Sequence, residues 1–337
     1  MSRLSRRALL AAAAAAPLAN VARAQSPIVI KFSHVVAPDT PKGKGADRFK
    51  QLAEERTQGR VRVEVYPNSQ LYKDKEELEA LQLGSVQMLA PSLAKFGPLG
   101  VKEFEVFDLP YIFKDTPSFR AVTDGPVGAA LFKKLEPKGI AGVAYWDNGF
   151  DIMSANRPLH HVADLKGLKL RIQSSKVLEA NMRALGALPQ VMAFSELYQG
   201  LQSGVVDGCE NTPSNMYTQK LYEVQKHTTV SLHGHISYAV VVNKKFWDGL
   251  PSDIRTTLEG CMKDATTYAN AIADTENQQA LEKIKASGKT TVYVLTPEEK
   301  EEWKKAMFVV HKEMAERVGK DTIQAVYKAA GFVVPKA

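Results

Sequence analysis

The sequence predicts an α/β protein made of two α/β units. Three observations carry that expectation: a strand and helix alternation from Pro27 to Ser92, a second one from near Gly149 to Asn211, and a helical signal from Pro251 to about Ser287 without internal proline. At about 1.5 Å per residue the last signal exceeds 50 Å, so one helix can brace both units.

In chain order, Arg3, Arg6 and Arg7, an apolar run from Ala8 to Ala16, and Ala22-Arg23-Ala24 read as an export signal over residues 1–24. Ser5-Arg6-Arg7-Ala8-Leu9-Leu10 is similar to a twin-arginine signal, but paired arginines also occur in ordinary secretory signals, and the export route stays open. Four arginines and no acids leave with this segment, so the formal charge falls from +7 to +3. No RNP motif, zinc-finger spacing or long Lys/Arg block marks a nucleic-acid binder. No apolar run after Gln25 reaches the roughly 20 residues of a membrane-spanning helix, and a periplasmic protein is expected. Cys209 and Cys261 are too few for a disulfide framework, and whether they pair is open.

The mature chain opens with the β-rich PIVIKFSH, ending at His34. Thr40 and Pro41 then start a helix running to about Glu55. VRVEVYP alternates as a second strand, KDKEELEALQLG is a helix ending at Gly84, and VQMLAPS reads as a buried strand. Two strand-like runs follow, Ile140 to Trp146 and Asp151 to Ala155, with a change of domain between them. LKLRIQ, a helix from Lys176 to Leu185, PQVMA, a helix from Ser195 to Ser203, and VVDGCEN build the second unit. ISYAVVVNKKFW comes after that unit yet can return to the first. TTVYVLT is a late strand, and Thr296-Pro297-Glu298-Glu299 begins a final helix.

No G-x-S-x-G, H-E-x-x-H or G-x-x-x-x-G-K-[ST] is present, and Gly43-Lys44-Gly45 lacks the third glycine of a dinucleotide fingerprint. Neither a cofactor nor a metal is expected. His233 and His235 could start an exported enzyme's site, but no nearby carboxylate completes a ligand set. Ligands of open α/β sheets bind beyond the carboxyl ends of strands. The residues there are His34 and the loop to Lys42, Ser92, the Trp146–Asp151 connection, the loop from Arg171 to Ser175, and Glu210-Asn211. Several are cations or hydrogen-bond donors, a set that suits an anion. In KLRIQSS, Leu170 and Ile172 share one strand face while Lys169, Arg171 and Gln173 share the other. Spacing alone leaves Arg171 facing either water or an acidic ligand. Phe194 and Tyr198 are spaced like one helix face and read as core.

FSHVVAPDTPKGKGA, VEVYPNSQLYKDKEELEALQLGSVQMLAPSL, WDNGFDIMSANRPL, the block from DLKGLKLRIQSS through GVVDGCENTPSNMY, and VVVNKKFWDGLP follow one another in order. Over essentially the whole mature chain this pattern resembles the DctP-type periplasmic solute-binding proteins of tripartite ATP-independent periplasmic (TRAP) transporters. The resemblance implies a two-lobed periplasmic binding protein fold with a hinge and a long bridging helix. It groups residues 25–148 and about 237–276 in one lobe, and 149–236 and about 277–337 in the other. It implies a binding protein, not an enzyme, that captures an organic-acid anion and delivers it to small and large membrane subunits driven by an ion gradient. Arg171 would form the main salt bridge to a substrate carboxylate, Asn211 would support the same group, and Phe194 would line the pocket. His34, Lys42 and Ser92 would lie near the ligand's other polar groups. Asp151 stands where many dicarboxylate binders carry a basic residue, so the ligand is either a C4-dicarboxylate or a hydroxy- or oxo-monocarboxylate, aromatic ones included. Cys209 stands where glutamine is frequent.

Overall fold

The computed structural model describes residues 26–334, and the export signal expected over residues 1–24 lies outside them. Two sheets organise the chain. The first holds β1 (Ile28–Ser33), β2 (Val61–Tyr66), β3 (Met88–Leu89), β4 (Ile140–Phe150) and β10 (His235–Asn243) in the order β2-β1-β3-β10-β4. The second holds β5 (Ile152–Ala155), β6 (Lys169–Ile172), β7 (Leu188–Val191), β8 (Gly208–Asn211), β9 (His227–Val230) and β11 (Thr291–Val294) in the order β11-β9-β5-β8-β6-β7. Strands β1, β2 and β3 pair in parallel, whereas β10 runs antiparallel to both β3 and β4. The return of ISYAVVVN to the first sheet is thus observed. All nine residues of β10 are buried, which is why this strand reads as a continuous apolar run.

The chain crosses between the sheets from β4 to β5 and back from β9 to β10. These crossings lie side by side: Asp151 N–H donates to Gly234 O at 3.0 Å and Leu232 N–H to Asp151 O at 3.0 Å. The expected break between Trp146 and Asp151 does not exist as a loop. Asp147-Asn148-Gly149 continue β4 and pair with β10, with register shifts at Ile236/Ser237 and Val240/Val241. Such bulges bend the paired strands and aim them toward the second sheet. The expected strand VQMLAPS shrinks to Met88–Leu89 plus a bridge from Ser92 to Tyr238.

Helix α1 (Pro41–Arg56) begins as its sequence requires, with the Thr40 hydroxyl accepting Gly43 N–H at 3.1 Å and proline in the first turn. It buries Ala46, Phe49, Leu52 and Ala53. Next come α2 (Glu77–Gln82), α3 (Thr116–Thr123), α4 (Pro126–Lys133), α5 (Lys176–Ala184), α6 (Leu197–Gln202), α7 (Pro213–Thr218) and α8 (Lys244–Asp248). The 35-residue α9 (Ser252–Ala286) packs against α1 and β4 of the first unit and α7 and β11 of the second. Its buried stripe of Ile254, Leu258, Cys261, Ala265, Ala269, Ala273, Asn277, Ala280 and Ile284 keeps three- and four-residue spacing throughout. Small residues allow close approach: a Cβ on Gly45 of α1 would sit 2.9 Å from Ala269 Cβ and 3.2 Å from the Trp146 ring. Cys209 and Cys261 are both buried and free.

The expected final helix is four helices: α10 (Pro297–Met307), α11 (Val309–Glu313), α12 (Ala315–Val318) and α13 (Lys320–Ala330). Thr296 caps α10 through a reciprocal pair with Glu299. α10 packs on α5, while α13 returns to α3 and α4, so the segment 277–334 touches both units.

Candidate ligand-binding cavity

Between the two sheets lies a small cavity. The first unit contributes Lys42, Asp74, Ser92, Lys95 and Tyr238 to its wall, and the second Arg171, Phe194, Asn211 and Asn215.

Arg171 comes from β6, an interior strand between β7 and β8, so its polar face is not wet and Arg171 is only 2% exposed. Its Nε–H donates to Met192 O at 2.9 Å, which fixes the guanidinium plane, and its Cζ lies 5.7 Å from the Phe194 ring centre. Phe194 sits in a short 3-10 turn before α6, not on the helix face with Tyr198, and so reaches the cavity. Asn211 ends β8. Its Oδ1 accepts Thr212 N–H at 2.9 Å and Asn215 Nδ2–H at 2.8 Å, which leaves its Nδ2 as a donor.

Lys42, in the first turn of α1, is 1% exposed. Its Nζ donates to Ala90 O at 3.0 Å and stands 3.7 Å from the centre of the Tyr238 ring. That carbonyl is free because β3 stops at Leu89. Burial first, and then the Lys95 ammonium, lowers the Lys42 pKa to about 7. Lys95 itself is held between Asp74 at 2.7 Å and Glu77 at 2.6 Å. Burial favours the neutral Asp74 carboxyl, but Lys95 and then Arg171 prevail and hold its pKa well below the usual carboxylate range. Ser92 lines the cavity beside Tyr238, whose oxygen lies 2.8 Å from Asn148 Nδ2.

Two expected residues do not reach this wall. His34 is fully buried behind it, edge-on to Phe32, and burial, with help from Lys42, pulls its pKa to about 3. Asp151 lines an adjoining chamber with Asp108, Glu210 and His233. Burial, then Glu210, then Asp108 push its pKa well above the usual range, and no ion pair joins it to Lys42 among the described residues. A carboxylate distant in the sequence does stand beside His233, without completing a ligand set with His235. Glu210 Oε2 lies 2.9 Å from His233 Nε2, with Ser231 Oγ 2.7 Å from Nδ1. β8 and the β9–β10 crossing bring them together from 23 residues apart. His235 pairs with Ser237 and stacks on Phe119 instead. Among the described residues no group of three His, Cys, Asp or Glu side chains could hold a metal ion.

Sequence reasoning missed Asp74, Lys95, Tyr238 and Asn215. KDKEELEALQLG had the composition of an ordinary helix, and the buried network around Asp74 had no local signature.

Residues 32–318 match the family described as bacterial extracellular solute-binding protein, family 7, or DctP. The chain belongs to the DctP family. The C4-dicarboxylate-binding periplasmic protein DctP of Rhodobacter capsulatus is 66% identical over 323 residues, spanning 96% of this chain and 97% of that one. A TRAP periplasmic solute-binding protein from Shewanella oneidensis, solved with bound succinate, superposes with a TM-score of 0.88 at 42% identity, covering 90% of this chain and 99% of its own. One from Pseudomonas aeruginosa, solved with L-malate, gives 0.83 at 45% identity, covering 85% and 100%. These relatives share the two-lobed α/β fold. DctP-family members are solute-binding proteins and not enzymes, so the exported-enzyme alternative built on His233 and His235 is set aside.

Proposed function

We propose that this chain is the periplasmic receptor of a TRAP transporter and that its ligand is a C4-dicarboxylate. One observation carries the reading: Arg171 and Lys42, both buried in one small cavity, make no direct ion pair with a carboxylate among the described residues, whereas Lys95 beside them makes two. Buried charges require compensation, and a small dianion supplies both negative ends at once. Arg171 would take one carboxylate in a two-pronged hydrogen bond, aided by Asn211 Nδ2 and flanked by Phe194. Lys42 and Ser92 would meet the other. The monocarboxylate reading rested on Asp151, which lies in the adjoining chamber as a carboxyl biased toward its neutral form. Relatives named or solved as C4-dicarboxylate, succinate and malate binders support the same choice.

We place residues up to Phe150 and β10 in one lobe and the second sheet in the other, with the paired crossings at Asp151 and Gly234 as the hinge. Ligand-driven closure needs only tighter binding by the closed form, and delivery would be to a small and a large membrane subunit. A thermal-shift and calorimetric screen of the mature protein tests the reading. Succinate and malate should raise Tm while acetate and lactate do not, because a ligand that binds only the folded state stabilises it. Monocarboxylates shifting Tm as much as dicarboxylates would refute it.

A further inference from the structure

The buried stripe of α9 carries one amide, Asn277, among aliphatic and sulfur-bearing side chains. Asn277 stands behind the ligand cavity rather than on its wall, and its whole amide is engaged. Nδ2 donates to Asn148 O of β4 at 2.6 Å and to Ala273 O, one turn back in α9, at 2.9 Å, while Oδ1 accepts Ser214 N–H of α7 at 2.9 Å. The direction of the amide is unambiguous, because a backbone carbonyl only accepts and a backbone N–H only donates. One side chain of the bridging helix thus holds a strand of the first unit and a helix of the second. The approach is close: the three heavy atoms nearest to a Cβ on Gly149 would all be those of Asn277, with Nδ2 at 2.8 Å.

From these contacts buried hydrogen bonds run to both walls of the cavity. Asn148 Nδ2 donates to Tyr238 Oη and to Thr212 Oγ1, each at 2.8 Å, and Asn148 Oδ1 accepts the Ser214 hydroxyl at 3.1 Å. Asn215, next to Ser214 in α7, donates through Nδ2 to Asn211 Oδ1 at 2.8 Å. Tyr238 lies on the first unit's wall, and Asn211 and Asn215 lie on the second's. Asn277 can pair with Asn148 O and Ser214 N–H together only while β4 and α7 keep this register; outside it, buried polar groups go unpaired at a cost. A ligand that touches both walls needs the same register. We infer that Asn277 is a positioning residue for the ligand: without touching it, the amide sets the Tyr238 wall against the Asn211 wall. This inference rests on the dicarboxylate reading and adds to it a residue outside the cavity.

Calorimetry and thermal melting of the mature protein with succinate and malate test it. Asn277→Ala should weaken succinate binding about 10-fold, the factor that one buried hydrogen bond of ordinary strength carries. Leu258→Ala, a truncation in the same stripe where α9 meets the first unit's core, should lower Tm yet leave Kd within about 2-fold of wild type. That split separates positioning from stability. Gly149→Ala, which leaves Asn277 in place, should weaken succinate binding in the same direction by crowding the amide. Added to Asn277→Ala it should cost nothing further, because the atoms it would meet are gone. Wild-type affinity in Asn277→Ala or in Gly149→Ala, an equal loss in Leu258→Ala, or losses that multiply in the double variant would each overturn the inference and leave the dicarboxylate reading standing. Failure of the unaltered protein to bind either succinate or malate would instead overturn that reading, and this inference with it.

Discussion

Asp74 Oδ2 accepts the Phe194 backbone N–H at 2.8 Å, tying the loop before α2 to the turn that carries the aromatic wall of the cavity. The Asp74 carboxylate is held from behind by Lys95, so the tie joins the first unit's charge network to the backbone of the second unit. Hydrogen bonds to charged groups contribute about 1.5–3 kcal/mol. Asp74→Ala should raise the ligand dissociation rate roughly 10-fold or more with little change in association, read by stopped-flow fluorescence. Asp74→Asn, which keeps an acceptor, should retain much of the wild-type residence time. The exposed Lys73–Glu196 pair nearby is a control: at 50% and 51% exposure it is worth little, and Lys73→Ala should leave both rates almost unchanged.

Arg171→Ala should weaken dicarboxylate binding at least about 100-fold, since removing one partner of a buried ion pair costs about 3–5 kcal/mol. Arg171→Lys should lose much of the same affinity, because an ammonium lacks the planar fork and the Nε–H that Met192 O holds. Unchanged affinity of the alanine variant by calorimetry would remove Arg171 from the site.

With Lys42 at the ligand as proposed, ligand stabilisation should depend on pH. Its pKa in the folded protein is about 7, against about 10.4 for an unfolded lysine. Between those values the unfolded chain binds more protons, so the ligand-free protein gains stability from this group as pH rises. A dianion favours the protonated lysine and opposes that trend. The rise in Tm with succinate or malate should therefore be larger at about pH 7 than at about pH 9. A shift independent of pH would place Lys42 away from the ligand.

Gly45→Val should destabilise the protein without touching the cavity. The new side chain would meet Ala269 and the Trp146 ring at the α1–α9 contact. Overpacking of this kind costs about 1–3 kcal/mol, so Tm should fall by several degrees while the ligand Kd of the folded protein stays near its wild-type value.

Much of the architecture was legible before any coordinates. The Thr40 cap, the α9 stripe and the buried β10 run are local patterns whose period or chemistry follows from the residues themselves. The misreadings share a cause. Asp147-Asn148-Gly149 looked like a break because its pairing partner, β10, lies some 90 residues on, and VQMLAPS looked like a full strand because nothing local shows the ladder stopping at Leu89.

By itself the sequence determined two α/β units, a bridging helix, and an arginine at a strand end suited to a carboxylate. Tertiary structure alone decided which charges make direct ion pairs. Lys95 is neutralised by Asp74 and Glu77 while Lys42 and Arg171 are not, and Asp151 is drawn away beside Glu210 and Asp108. The reason is physical: alternation and capping act over a few residues, but the compensation of a buried charge depends on distances between segments that only the packed lobes bring together.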